Sequence, residues 1–455
     1  MNYIQVTALI IFILMFVLIV TEKIERHVVS LACGGVMLVL VVGIMMKEPG
    51  SILDILALKD FVDPSFWYDT GEAAEGIGIN WETIVFILGM MIMVEGMGRV
   101  GFFRWLCLKI ANGVNYNPYR IFITFMCMSF FLAMFIDSIT VILFLAAVTL
   151  EIAELLKFNP ITLIIAEIFC ANLGGSATMC GDPPNIIIGT ALHYTFFDFL
   201  KNLGPMSLIV MIFTICYFFF IFKKEMKNDG YTPIDVESLD MDLLSPAKAI
   251  KDKKGFIVNT LIFLLAVVLL VSHASTGLSV ATIGVVVAVL TVIAGAKHLP
   301  EIMSKVDFAT LFFFVGLFIV VSGLEITGIL DILAGFIAKM SKGNFMLSVA
   351  IIIWISAIAS AFMDNIPFAA TMVPVIKSLA MTQGFDLHIM AWTLAAGTDI
   401  GGCGTPIGAS ANVVGIATAS KKGHFISWKR YCTLAGPMTI LSIAMFMGMI
   451  FVRYF

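Results

Sequence analysis

Residues 172–185 read NLGGSATMCGDPPN, and residues 399–412 read DIGGCGTPIGASAN. Each string interrupts a long apolar run. Gly and Pro at this density do not continue a helix. Irregular backbone at membrane depth is tolerated only where it is buried in protein or lines a wet cavity. The runs 161–189 and 390–416 are therefore expected to be discontinuous helices. The two strings also align. Adding 227 carries 172 onto 399, Gly174 and Gly175 onto Gly401 and Gly402, Thr178 onto Thr405, and Asn185 onto Asn412.

The same shift extends outward. Thr83 meets Thr310, Phe86 meets Phe313, Gly89 meets Gly316, Gly96 meets Gly323, and Gly101 meets Gly328. Phe135 meets Phe362, and Asp137 meets Asp364. Rare polar residues are among the matches, which apolar similarity alone does not supply. An internal repeat is the strongest signal in the chain.

Composition names the solvent. The chain has 455 residues, 60% hydrophobic and 13% charged, with a mean hydropathy of +1.04. A soluble surface needs more charge than this. The net charge of −4 points to no nucleic-acid partner. Eight cysteines form no C-x-x-C pair, so they read as small buried hydrophobes and not as a zinc site or disulfide framework. The run 4–20 has no basic residue before it and no small-residue cleavage site after it, so a retained helix is expected.

Twelve apolar runs lie at 4–20, 28–46, 83–98, 119–150, 161–189, 204–222, 256–271, 277–296, 308–324, 345–376, 390–416 and 433–452. The runs 119–150 and 345–376 hold about 32 residues each, too long for one crossing and too short for two. Each is expected to be a re-entrant hairpin, turning at Asp137-Ser138 or at Asp364-Asn365-Ile366-Pro367. Basic residues orient the chain. With the N-terminus outside, Lys23, Arg26, Arg99, Arg104, Lys109, Arg120 and the lysines of the 223–255 linker fall inside. The acidic 47–80 loop, with Asp54, Asp60, Asp63, Asp69, Glu72 and Glu75, falls outside. The expected class is an all-α polytopic membrane protein of two inverted repeats, 1–222 and 256–455, joined by the cytoplasmic linker 223–255. Each repeat has five crossings, a hairpin and a broken helix, an arrangement described for secondary transporters. Short interfacial helices are expected near Phe102–Lys109 and Phe196–Lys201.

The chemistry should sit where hairpins and breaks meet. Acids at bilayer depth are costly, by roughly 2.5–3.5 kcal/mol on insertion scales, so Asp137 and Asp364 are the leading ion-binding candidates. The bland alternative is that each caps the second arm of its hairpin. Ser138, Thr140, Asn365 and Thr371 add neutral oxygens, and Na⁺ is placed at Asp137, Ser138, Asp364 and Asn365. The unwound segments add carbonyls from Gly174, Gly175, Gly401 and Gly402, with Ser176, Thr178 and Thr405 beside them. The half-helix starts after the breaks offer N–H groups to an anion. Asn185 and Asn412 suit either site, or a plain interhelical hydrogen bond. Asp182 and Asp399 are further proton or cation sites. Glu95 and Glu167 read as packing or snorkelling residues. Apart from Arg120 at the outer end of the first hairpin, no Lys or Arg lies inside the hairpins or breaks, so the centre is expected to hold no fixed cation.

GDPPNIIIG at 181–189, FMDNIPFAATMVP at 362–374 and GTPIGASANVVGIA at 404–417 resemble the ion transporter superfamily. The likeness is to its arsenite permease and sodium–proton antiporter branch, with the melanosomal P-protein group nearest, and to a citrate-transporter-like fold. It implies a homodimer with a scaffold domain and a moving transport domain that work as an elevator. It also implies that hairpin tips and unwound helices form the site.

The reading is a secondary active transporter of the cell (inner or plasma) membrane. It moves a small inorganic ion against Na⁺ or H⁺, with Na⁺/H⁺ antiport first, no other cofactor, and lipid and a second copy as partners. Export of arsenite or another oxyanion, and a passive anion channel of the same fold, stay open. An enzyme is not expected. An intramembrane aspartyl protease would also use two buried Asp, yet it needs no matched halves.

Overall fold

A computed structural model describes residues 1–21, 23–68, 77–231 and 245–455. Asp69, Glu72 and Glu75 of the acidic loop, and 232–244 of the linker, lie outside the described residues. The architecture is all-α. The first half runs α1 (Tyr3–Val20), α2 (Arg26–Val36, continuing as a π-helix over Met37–Met45), α3 (Trp81–Val100), α4 (Phe102–Gly113), α5 (Pro118–Ala133), α6 (Ser138–Leu156), α7 (Ile161–Gly175), α8 (Pro183–Leu192), α9 (Phe196–Asn202) and α10 (Gly204–Asn228). The second runs α11 (Lys253–Thr276), α12 (Val280–Ala294), α13 (Phe308–Ile326), α14 (Ile329–Met340), α15 (Phe345–Phe362), α16 (Asn365–Gln383), α17 (Leu387–Gly402), α18 (Ser410–Lys421) and α19 (Trp428–Tyr454). Short helical turns fill the connections.

Eight of these helices are long and apolar enough to cross a membrane, and α12 with the Ala296–Met303 segment forms a ninth candidate bent by 86°. Their outward faces stay apolar. On α11, Ile257, Leu261, Leu264 and Val268 form one exposed stripe at helical spacing. Water would not tolerate such a patch, whereas lipid tails solvate it. The chain is an integral membrane protein.

The 227-residue shift reappears as matched local structure. Asn80 caps α3 by accepting from Thr83 N, and Asp307 caps α13 by accepting from Thr310 N. Asn117 and Asn344 cap α5 and α15 in the same way. Gly101 and Gly328 take left-handed φ values of 88° and 73° at the turns before α4 and α14. The arms α6 and α16 end at left-handed caps, Lys157 and Gly384.

Helix contacts follow the same scheme. The helices α3 and α12 cross where Gly89 meets the backbone of Gly284, and α13 meets α2 where Gly316 faces Ser30. Any Cβ at Gly89 or Gly316 would strike that backbone, so only glycine permits these crossings.

Both 32-residue segments break. α5 and α6 are separated by residues 134–137, and α15 and α16 by 363–364. The arms outrun the apolar stretches: α6 reaches Leu156 and α16 reaches Gln383, beyond the expected ends at 150 and 376. Hydropathy marks where lipid stops, whereas backbone hydrogen bonding continues to the next left-handed cap. Both discontinuous spans are present, with unwound residues 176–182 and 403–409.

Candidate functional site

The starts of α6 and α16 meet at Asp182. It ends the first unwound loop and lies 3% exposed. Ser138 Oγ, at the start of α6, donates to Asp182 Oδ1 at 2.9 Å. Asn365 Nδ2, at the start of α16, donates to Asp182 Oδ2 at 2.9 Å. Ser138 and Asn365 are equivalent under the 227 shift, so one carboxylate joins the starts of α6 and α16 through neutral donors. Ala409 occupies the image of Asp182, and the centre is therefore asymmetric.

The two acids that led the expectation are placed differently. Asp137 accepts from Thr140 N at 2.9 Å and from Thr140 Oγ1 at 2.7 Å, which is an N-cap geometry. Asp364 caps α16 through Ile366 N. Its Oδ2 also takes Arg26 Nη1 at 2.6 Å and Ser410 Oγ at 3.0 Å. Arg26 overturns the expectation of no fixed cation. It stands on α2, far from the hairpin in sequence, and tertiary packing brings its guanidinium to the tip. A cavity there is lined by Ile19, Arg26, Phe362, Met363, Asp364, Ile407, Ser410 and Val413.

The unwound loops are tied down twice over. Asn185 Nδ2 donates to the carbonyls of Gly175 and Thr178, both at 3.1 Å. Asn412 Nδ2 donates to the carbonyls of Gly402 and Thr405, both at 2.7 Å. Thr178 Oγ1 donates to the Met134 carbonyl at 2.5 Å, and Thr405 Oγ1 donates to the Ala361 carbonyl. The Gly175, Thr178, Gly402 and Thr405 carbonyls, in the segments expected to supply free ion ligands, already accept from an asparagine, and Thr405 from Gly408 N as well. Ser176 Oγ donates to the Leu173 carbonyl and pairs with Ser207 Oγ. Gly174 and Gly401 pack against the backbones of Phe130 and Ala357, so their role is close helix approach. Thr371 Oγ1 donates to the Pro367 carbonyl one turn back on α16.

Deeper in, Asp399 lies on α17 at 0% exposure. Glu167 on α7 is likewise at 0% exposure, with Oε1 accepting from Thr149 Oγ1 at 2.6 Å. Asn172 Nδ2 donates to Asn412 Oδ1 at 2.9 Å, a bond between the two halves.

Sequence reasoning passed over Arg26, Ser410 and Asn172. Nothing local marks Arg26, since basic residues at span ends ordinarily set topology. Asn172 had a signal, because it is the 227 image of Asp399.

A bundle of apolar spans, with two broken helices and two further helix breaks whose following helices meet at a buried acid, fits a membrane transporter. The chain belongs to the CitMHS family, described as citrate transporters, whose model matches residues 16–397. An uncharacterized transporter of Mycobacterium bovis is 30% identical over 454 residues, covering 99% of each chain. The 46 kDa membrane protein of Mycobacterium leprae is 30% identical over 452 residues, again with 99% of each covered. The P protein of Mus musculus is 26% identical over 442 residues, covering 80% of this chain and 53% of that one. Among solved structures, the Neisseria gonorrhoeae MtrF antimetabolite efflux pump aligns with a TM-score of 0.56 at 12% identity, over 100% of this chain and 95% of its own. The Alcanivorax borkumensis YdaH transporter aligns at 0.53 and 12%, with 88% of each covered. At that identity the likeness is one of fold.

Proposed function

We propose that this chain is a secondary active transporter that moves a small inorganic ion in exchange for Na⁺ or H⁺, with Na⁺/H⁺ antiport as the first reading. One observation carries it: the Asp182 carboxylate, buried between both hairpin tips, is held by the neutral groups of Ser138 and Asn365. A buried acid without a basic partner suits a cation or a proton. The nearby cation, Arg26, is matched by Asp364. In this reading the hairpins and broken helices form a transport domain that moves against a scaffold of α1–α3 and α11–α13. The family resemblance further supports a homodimer in the cell membrane, with the N-terminus outside and the linker cytoplasmic.

A second reading is anion transport. The Arg26 cavity at a hairpin tip and the family's description favour it. Proteoliposome fluxes of Na⁺, Li⁺, chloride, arsenite and citrate under an imposed pH gradient separate the two. Proton movement driven by Na⁺ or Li⁺ supports the first, and citrate or arsenite flux without it supports the second. Single-channel currents in planar bilayers would replace both with a channel.

A further inference from the structure

Positions 172 and 399 are equivalent under the 227 shift, and so are 185 and 412. The structure pairs them crosswise between the halves. In one pair Asn172 Nδ2 donates to Asn412 Oδ1 at 2.9 Å. By the same shift Asp399 stands opposite Asn185, the one neutral side chain that acts on it. Asn412 and Asn185 spend their amide hydrogens alike, each on two loop carbonyls. The oxygen of Asn412 faces α7 of the other half, and the repeat sets the oxygen of Asn185 toward α17 in the same way. Asn172 supplies a donor to the first of these oxygens. Asn185 Oδ1 has none, and neither Asp399 oxygen has a partner. All four side chains are 0% exposed.

Two acceptors side by side form no bond, and a buried polar atom left unmatched costs about 1–3 kcal/mol. A proton on Asp399 converts one acceptor into a donor. The acid O–H then makes to Asn185 Oδ1 the bond that the Asn172 amide makes to Asn412 Oδ1. We propose that Asp399 is a proton-binding site whose neutral form donates to Asn185 Oδ1 and ties the second broken helix to the first. Binding takes one H⁺ from water onto the carboxylate. Release returns that H⁺ to water, breaks the cross-half bond, and changes no covalent bond elsewhere.

The surroundings agree. Asp182, from the first unwound loop, is the other acid that acts on Asp399. Cys403 lies near it on the second loop, with Tyr431 of α19 next to Cys403. The helix α15 carries no titratable residue. The one lysine of α16, Lys377, interacts with Glu325. From α7 comes Glu167, which is bonded to Thr149, and α8 contributes no titratable group. No basic group among the described residues acts on Asp399.

This assignment deepens the transport reading, in which Asp399 holds the coupling proton, and its test needs no transported solute. Infrared difference spectra of the purified full chain, stepped from alkaline to acidic pH, read the C=O stretch of each carboxyl that gains a proton. Asp399→Asn is the conservative variant, since its amide can copy the Asn172 bond. The expected result is a carboxyl band present in the wild type, lost in Asp399→Asn, and shifted to higher frequency in Asn185→Ala, where the acid loses its acceptor. Spectra identical in wild type and Asp399→Asn overturn the proposal, as does a band unmoved by Asn185→Ala. If Asp399→Asn does not fold, Asp399→Glu must move the band, and an unmoved band again overturns it. A present band with no flux in the proteoliposome panel sinks the transport reading alone. Flux with no Asp399 band sinks the proton site alone.

Discussion

The guanidinium of Arg26 lies 2.6 Å from the carboxylate of Asp364, and the two residues are 338 positions apart in sequence. One end is the start of α2 and the other is the tip of the second hairpin. Under the proposed elevator reading, the pair joins the scaffold to the transport domain. Asp364 is 8% exposed at its side chain and Arg26 is 41% exposed, so solvent weakens the attraction without removing it.

Breaking this pair from one side should be worse than breaking it from both. Arg26→Gln leaves Asp364 half-matched beside Ser410, whereas Arg26→Gln with Asp364→Asn leaves no buried charge. A double-mutant cycle by thermal unfolding in detergent should return a coupling of about 1 kcal/mol. Flux should fall more in the single Arg26→Gln variant than in the double one. Additive effects would mean that the contact does not act as a unit.

Asp182→Asn should retain the fold and lose transport. The amide can still accept from Ser138 Oγ, yet it meets the Asn365 amide with a donor and carries no charge for a cation. A loss of at least about tenfold in the rate of the conducted ion, roughly 1.4 kcal/mol in barrier, is expected by proteoliposome assay. Ser138→Ala and Asn365→Ala each remove one donor from a buried carboxylate and should cost about 1–3 kcal/mol in stability. An Asp182→Asn protein with wild-type flux would move the site elsewhere.

The two loop asparagines should not be equal. Asn185→Ala frees the carbonyls of Gly175 and Thr178. Asn412→Ala frees that of Gly402, leaves Thr405 with Gly408 N alone, and strands the Asn172 amide. With Asp399 ionised, at alkaline pH, Asn412→Ala should therefore be the more destabilising by about 1 kcal/mol, one extra buried hydrogen bond, in the same unfolding assay, and the gap should close at acidic pH as Asp399 donates to Asn185.

Glycine substitutions separate close helix approach from ordinary helix propensity. Gly174→Ala and Gly401→Ala drive a methyl into the backbones of Phe130 and Ala357 and should cost about 1–3 kcal/mol each. Gly335→Ala, inside α14 with nothing near its missing Cβ, should stabilise by about 0.5–1 kcal/mol. Equal shifts in melting temperature would reject the close-approach argument.

Much of the scaffold was legible because lipid imposes it. Long apolar runs, polar breaks at 137 and 364, and Gly/Pro interruptions at 174–184 and 401–408 each correspond to a feature in the structure. The site was less legible. Asp137 and Asp364 stand out by position, yet Asp137 is occupied by its own helix start and Asp364 shares its carboxylate with Arg26 and Ser410. A capping acid and a ligating acid have the same local surroundings in sequence, and only the partner on another helix tells them apart.

Chain chemistry alone settled that this protein lives in a bilayer, that its two parts share one pattern 227 residues apart, and that both broken spans interrupt it at the same place. Those properties follow from solvation and backbone hydrogen bonding, which act within a dozen or so neighbouring residues. Packing alone settled that Asp182 is the acid that Ser138 and Asn365 share, that Arg26 reaches Asp364, and that Asp399 and the Asn185 oxygen are buried without a donor. Each of these is a meeting of side chains from helices far apart along the chain, and no local rule of hydropathy or capping specifies which of them touch.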